Sequence, residues 1–259
     1  MSRGGALVTG AGRRIGRAIA EALAADGWRT VVHHNASEAE AAAAVAGIRV
    51  AGGEAVALRA DLADAEAVVR LFARARDAVG GVLCLVNSAS RFVYDDVTSF
   101  TAEGWDAHMA VNLRAPALLA REFAKALPAE ASGVIVNILD HKIVNLNPDF
   151  LSYTVAKVGL EGLTRCLAMA LAPRVRAVGI APGLTLPSVH MTEAEFREAH
   201  GRTPLGRGTT TEDLVATVRF VLAAPSLTGQ TIVVDGGQHL EKRRRDVMFE
   251  MRARSDGDG

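Results

Sequence analysis

The stretch ALVTGAGRRIGRAIA, residues 6–20, decides the fold. A short apolar run ends in a turn carrying Gly10 and Gly12, and Gly16 follows as an alanine-rich helical pattern opens. A turn without side chains lets a pyrophosphate come close to the backbone, and the free N–H groups and positive dipole end of the helix can hold it. The spacing departs from G-x-G-x-x-G, and Arg14 stands where a T-G-x-x-x-G-x-G pattern has glycine. Arg13 and Arg14 place guanidinium groups on the turn, suited to an extra phosphate or to an anionic edge of a small molecule. Ile15 belongs to the same candidate cofactor-binding turn. A tight turn with no ligand is the alternative.

Working outward, β-rich runs alternate with helical patterns along the chain: ALVTG, RTVVHH, EAVALRA, GVLCLVNSA, GVIVNIL, VRAVGIAPG and TIVVDGG. Such alternation implies βαβ units and a parallel sheet. The strands are almost continuously apolar, so helices should cover both faces. The expected architecture is an α/β doubly wound sandwich of about seven strands, of Rossmann type. Gly27, Gly47, Gly80 and Gly81 are read as helix ends. One domain is expected over residues 1–240. Its segment 187–208, PSVHMTEAEFREAHGRTPLGRG, interrupts the alternation as a candidate lid.

From Glu241 a tail mixes a basic run with Val247, Met248, Phe249 and Met251. It is expected to be a solvated, frayed extension or to pack on another subunit, with its last residues disordered.

The 259 residues carry 29 basic and 29 acidic side chains, so net charge points to neither a nucleic-acid footprint nor an acidic-substrate funnel. Cys84 and Cys166 lie in apolar runs and are read as small core side chains, which argues against a disulfide or a metal pair. No segment has the ~18 uncharged apolar residues of a membrane span. A cytoplasmic protein, with a small molecule as its partner and no nucleic acid or membrane, is expected.

The end of the second strand bears on the cofactor. NAD sites usually place a carboxylate there to hold the ribose hydroxyls, and it would repel a 2′-phosphate. This chain has His33, His34, Asn35, Ala36 and Ser37 before its first acid, Glu38, so NADP(H) is the expected cofactor. Ser37 can donate to that phosphate or simply cap the next helix. Asp61, followed by Leu62, stands where adenine would lie or caps a helix. Tyr153 and Lys157, four residues apart in SYTVAKVGLEGLTR, share a helix face. An ammonium beside a phenol can lower its pKa from about 10 by roughly one to three units, toward useful proton exchange.

The glycine turn, NSAS, Asn112 in AVNLRAP, Tyr153 with Lys157, APGL and VDGG occur in one order. That set resembles the short-chain dehydrogenase/reductase family over about Ala6 to Gly237. The resemblance implies a single NAD(P)-binding domain and a homodimer or homotetramer. Asn112, Tyr153 and Lys157 match three members of the family's catalytic tetrad, with Lys157 on the nicotinamide ribose and Asn112 holding a water. Asn87, Ser88 and Ala89 match the segment beside the adenosine, although NSAS departs from N-N-A-G at two positions. Pro182, Gly183 and Leu184 match the turn against the nicotinamide and the substrate.

The fourth tetrad position, normally serine, is Asp140, thirteen residues before Tyr153. A serine hydroxyl can donate to a carbonyl oxygen gaining charge, whereas a carboxylate can only accept. Asp140 suits a substrate that presents N–H groups or has its C=N bond reduced. This departure, Arg13 with Arg14, the histidine-rich strand end and Ser88–Phe92 together resemble the pteridine reductase branch and related dihydropterin reductases. There the phenylalanine stacks the pterin against the nicotinamide. Phe92 is therefore a candidate platform, with Ser90 and Arg14 on the substrate's polar edge. Phe92 as a plain loop closure, and Asp140 in a salt bridge to Lys142 or Arg91, are the alternatives. Ala36 replaces the basic residue of that branch. An NADPH-dependent dihydropterin reductase is expected, with a carbonyl reductase and a catalytically silent NADP sensor as rivals. The identity of the pterin is not legible.

Overall fold

The computed structural model describes residues 3–188 and 191–249. Seven parallel strands form one sheet: β1 (Gly5–Val8), β2 (Arg29–His34), β3 (Ala55–Arg59), β4 (Val82–Asn87), β5 (Gly133–Ile138), β6 (Val175–Pro182) and β7 (Thr231–Val234). Their spatial order is β3-β2-β1-β4-β5-β6-β7, so the direction of winding reverses between β1 and β4. The crevice outside the carboxyl ends of strands at such a reversal is where α/β sheets bind ligands.

Eight α-helices cover the sheet among the described residues: α1 (Arg14–Ala25), α2 (Glu38–Val50), α3 (Ala65–Val79), α4 (Ala102–Met109), α5 (Ala115–Ala126), α6 (Leu151–Leu171), α7 (Glu193–Gly201) and α8 (Thr211–Ala223). Buried residues of α1, α2 and α8, such as Ile19, Leu23, Ile48 and Val218, pack with Ala6 and Val8 on one face. Leu71, Phe72, Leu119 and Phe123 of α3 and α5 pack with Leu7 on the other. Alternate side chains of β1 thus enter opposite cores, which is why its sequence is apolar at every position. The doubly wound architecture read from the sequence is the one observed.

Two local expectations need correction. Gly47 lies inside α2, and Gly52, at φ +82°, is the glycine that follows that helix. The alanine-rich pattern around Gly47 outweighs a single glycine. Cys84 is a core residue whose thiol burial pushes up to about 12, but Cys166 is exposed on α6. Its neighbours in sequence are apolar, yet the helix turns this position outward. The 187–208 segment contains a regular helix, α7, started by a capping box between Thr192 and Glu195. Residues 189–190 of that segment lie outside the described residues.

The tail also differs. Val247 and Met248 are buried within their own chain: Val247 against Leu184, Met191 and Ala199, Met248 against Phe150 and Tyr153. Arg245 holds this turn down through both oxygens of the buried Asp149, with Nε 2.9 Å from each, and the amide of Asp246 donates to the same carboxylate at 2.7 Å. Intrachain burial, instead of a frayed extension, accounts for Val247 and Met248. The expected disorder of the last residues falls outside those described.

Candidate active site

The glycine turn after β1 is packed too tightly for side chains. A Cβ on Gly10, at φ +66°, would sit 2.7 Å from the Cα of Ala89, and one on Gly12 would sit 2.7 Å from the Ser37 hydroxyl oxygen. Arg14 takes φ +57° without being glycine, a strain of roughly 1–2 kcal/mol. Its guanidinium donates to the carbonyls of Pro187 at 2.8 Å and Leu186 at 3.4 Å. Arg14 thus ties the glycine turn to the segment before α7, and its polar head is held by backbone instead of standing free for a substrate edge.

Helix α1 begins with no capping side chain and no acid in its first turn. Its exposed N–H groups and dipole are left for an anion. The hydroxyl of Ser37 makes no cap bond to α2, so of its two readings the cap is not the one observed. Ser37, the exposed Asn35 and the exposed Arg13 border the place where a ribose phosphate would approach the turn.

His33 does something else. Its ring is buried, with Nδ1 accepting from the amide of Gly10 at 3.1 Å and Nε2 3.2 Å from the carbonyl of Ala60. It braces β1, β2 and the loop after β3, and it is not free to meet a phosphate. His34 is buried too, and its Nδ1 has no hydrogen-bond partner among the described residues. Burial lowers the His33 pKa to about 4, and only the neutral ring can accept from Gly10. Because the folded value lies below the unfolded value of about 6.5, the stability contributed by the neutral ring is fully present above pH 6.5, and folding loses up to about 3 kcal/mol as pH falls toward 4. Urea unfolding between about pH 7.5 and 5 should show this slope in the wild type and a flatter one in His33→Asn. Equal slopes would refute the assignment.

At the end of β4, Asn87 donates to Asn137 at 2.8 Å, and Asn137 donates to Thr164 at 2.8 Å. The Asn87 side chain is therefore committed to the sheet, while its buried Oδ1 lacks a partner. Ser88 and Ala89 give their amides to the Thr9 hydroxyl at 3.0 and 3.1 Å. Thr9, not singled out from the sequence, thus clamps the turn to β4. Asp61 accepts from the amide of Ala63 in a turn, Leu62 is buried in the core, and the cap of α3 is Asp64. Pro182 ends β6, and Gly183 lies so close to Asp235 that a Cβ would come within 2.7 Å of it.

Asn112 sits in a single π-helical turn, Ala110–Arg114, between α4 and α5. Its Oδ1 accepts from the amide of Arg91 at 2.7 Å and its Nδ2 donates to the Arg91 carbonyl at 2.9 Å. The Ser90 hydroxyl lies 3.4 Å from the same Oδ1. The amide clamps the loop that presents Phe92 through the Arg91 backbone.

The amide N–H groups opening α6 are met by Asp95, whose carbonyl accepts from Leu151 and whose carboxylate accepts from Ser152. That fixes Tyr153. Its hydroxyl donates to Asp140 Oδ2 at 2.7 Å. Asp140 Oδ1 accepts from the amide of Lys142 at 2.9 Å and lies 3.3 Å from His141 Nδ1. The salt-bridge alternative for Asp140 fails, because Lys142 Nζ turns instead to the Asp149 carbonyl at 2.8 Å and Asp246 Oδ2 at 3.1 Å. Burial opposes ionisation of Asp140, but His141, the Lys142 amide and the Tyr153 hydroxyl outweigh it and hold the carboxyl down at about 2.

Lys157 Nζ donates to the Ile138 carbonyl at 2.7 Å and lies 5.6 Å from the centre of the Tyr153 ring. Burial lowers its pKa to about 8, against the pull of Asp140. The expected acidification of the phenol is not found: burial and then Asp140 push the Tyr153 pKa well above its usual value. A carboxylate in direct contact outweighs an ammonium occupied by a carbonyl.

Aromatic rings surround the phenol. Phe92 stacks on Phe150 with centroids 4.2 Å apart and meets Tyr153 edge-on at 4.7 Å. Tyr94 and the tail residue Phe249 pack edge-on at 5.1 Å. Phe92 remains 39% exposed, so it both closes a loop and keeps surface for a ligand. His141 and Phe150 were not identified from the sequence, where only the adjacency of His141 to Asp140 was visible, and Met248 and Phe249 were read there as tail residues, not as part of this site.

The family model described as Enoyl-(Acyl carrier protein) reductase matches residues 10–239. A 3-oxoacyl-[acyl-carrier-protein] reductase of Synechocystis is 37% identical over 90% of this chain and 95% of its own length. Among solved structures, FolM alternative dihydrofolate reductase 1 from Brucella canis, complexed with NADP, superposes with a TM-score of 0.90 at 42% identity, covering 95% of this chain and 97% of that one. A short chain dehydrogenase from Burkholderia cenocepacia, in complex with NADP, gives 0.85 at 32% identity over 92% of this chain and 98% of its own.

Proposed function

The chain belongs to the short-chain dehydrogenase/reductase family, and from that premise we propose that it reduces a dihydropterin-like C=N bond with NADPH. The observation that carries this reading is the 2.7 Å contact between Tyr153 and an ionised Asp140. A ketone gains negative charge on oxygen as it is reduced, and Asp140 offers it no donor. A pterin ring presents N–H groups that a carboxylate can accept. The likeness to FolM alternative dihydrofolate reductase supports the same substrate class.

NADPH, when bound, supplies the hydride. The uncapped start of α1, with Arg13, Ser37 and Asn35 beside it, fits a cofactor carrying an additional phosphate. Lys157 would hold the nicotinamide ribose, Pro182 and Gly183 would border the nicotinamide, and the backbone at Asp61, Leu62 and Asn87 to Ala89 would border the adenosine. His33 acts from behind as a brace, with His34 buried beside it. Tyr153 delivers the proton, Asp140 orients the heterocycle, and Phe92 stacks on it, with Ser90 and Leu184 bordering the ring and Arg14 closing the site above it. The protein acts in the cytoplasm as a homodimer or homotetramer. Among the described residues no helix is long and apolar enough to cross a membrane.

A second reading, ketone reduction on an acyl thioester, is favoured by the Synechocystis relative. The test is NADPH oxidation across dihydropterins, dihydrofolate, 3-oxoacyl thioesters and simple ketones. Turnover of the dihydropterins is expected, and turnover confined to ketones would overturn the proposal.

A further inference from the structure

His141 has no place in the reading above, yet its Nδ1 lies 3.3 Å from the Asp140 oxygen that does not touch Tyr153. The approach is off the line of a good hydrogen bond, and Nδ1, though buried, has no other partner among the described residues. The ring as a whole keeps 16% of its surface open, whereas the Tyr153 hydroxyl sits in a residue only 6% exposed. One edge of the imidazole thus reaches solvent while the other faces the carboxylate.

Every charged group packed around His141 can be named. Asp140 precedes it, and Asp235, in the turn after β7, and Asp246, on the C-terminal segment, also act on it. Lys142 follows, but its ammonium is bound to the Asp149 carbonyl and Asp246. Asp235 is shared with His239, whose Nδ1 lies 2.9 Å away. Lys157 lies beyond Asp140, bound to the Ile138 carbonyl. Three carboxylates against one shared histidine and two occupied lysines leave a surplus of negative charge facing the ring.

We propose that His141 is a positioning residue for proton supply: as an imidazolium it recharges Tyr153 through Asp140 after each turnover. The inference rests on the reductase reading. Reduction of a C=N bond takes a hydride at carbon and a proton at nitrogen. Tyr153 gives that proton, and its O–H bond breaks. The phenolate regains a proton through the Asp140 carboxyl group, which draws it from His141 Nδ1. The neutral ring, left with its proton on Nε2, then rotates to bring Nδ1 to solvent and is reprotonated there, so the net reaction consumes one hydride and one proton. The carboxyl cannot hold that reserve at neutral pH, because Asp140 is held at about 2, and the phenol is itself the group to be recharged. Burial works against a cationic His141, but Asp140 outweighs it and raises the pKa above 6.5.

The experiment has two arms. In the first, histidine ring signals of the cofactor-free protein are titrated by NMR, with His141 assigned by comparison with His141→Gln. It should titrate above 6.5 in the wild type and at a lower pH in Asp140→Asn; an unchanged value overturns the pairing, whatever the substrate. In the second, kcat is followed against pH with saturating dihydropterin. The wild type should lose rate as pH rises through the His141 value. His141→Gln should lack this limb and turn over about tenfold more slowly at neutral pH, while any limb near 8 from Lys157 stays in both. The same limb in both proteins overturns the proposal. Failure to turn over any dihydropterin, with the titration as expected, refutes the substrate reading and leaves the pairing standing.

Discussion

Replacing Tyr153 with phenylalanine should lower kcat by about 10²–10⁴-fold, the range for loss of a positioned proton donor. The hydroxyl is the one polar atom of that ring, and it is bonded to Asp140. The ring itself packs against Phe92 and Met248, and phenylalanine preserves that packing. Affinity for NADPH should stay within about a factor of two, since the lysine and the glycine turn are untouched. Steady-state rates and fluorescence titration with NADPH measure the two quantities separately. Unchanged turnover would remove the phenol from the chemistry.

The second large effect is expected from Asp140→Ser. This change exchanges an acceptor for a donor beside the position where charge develops, and one such donor is worth about 10²–10³-fold in rate. The ratio of kcat/KM for a dihydropterin over a ketone should therefore fall by at least about 100-fold. After burial, Asp140 is also the main cause that weakens the phenol as an acid. Ultraviolet titration should then show Tyr153 ionising at lower pH in the serine variant, a readout that needs no substrate. An unaltered preference together with an unaltered titration would show that the carboxylate is a bystander.

The sheet was legible because strands buried on both faces must be apolar throughout, and seven such runs stand out between helical patterns. Tyr153 and Lys157 were legible because helix geometry is local: four residues along α6 return to the same face. Asp140 could be placed near them through the family resemblance, in which its position is that of the tetrad serine. The electrostatic outcome could not be foreseen. It depends on Lys157 finding the Ile138 carbonyl and on Asp140 touching the phenol directly. His33 illustrates the same limit: as a residue type it suits a phosphate, but the Gly10 amide and the Ala60 carbonyl claim both ring nitrogens. Asn112 is likewise claimed by Arg91. Helix α7 is a different case, since the capping pair Thr192 and Glu195 was visible in the sequence.

The two described ends of the chain differ in how they are attached. Arg3 bonds to the carbonyl of Gly27 at the entry side of the sheet, remote from the strand ends that carry the phenol. The other end is moored by Arg245 to Asp149 and rests Met248 on the tyrosine itself. A purification handle or reporter fused after this mooring would tug at the wall of the reaction chamber, so grafts belong at the amino end, where the chamber would not feel them.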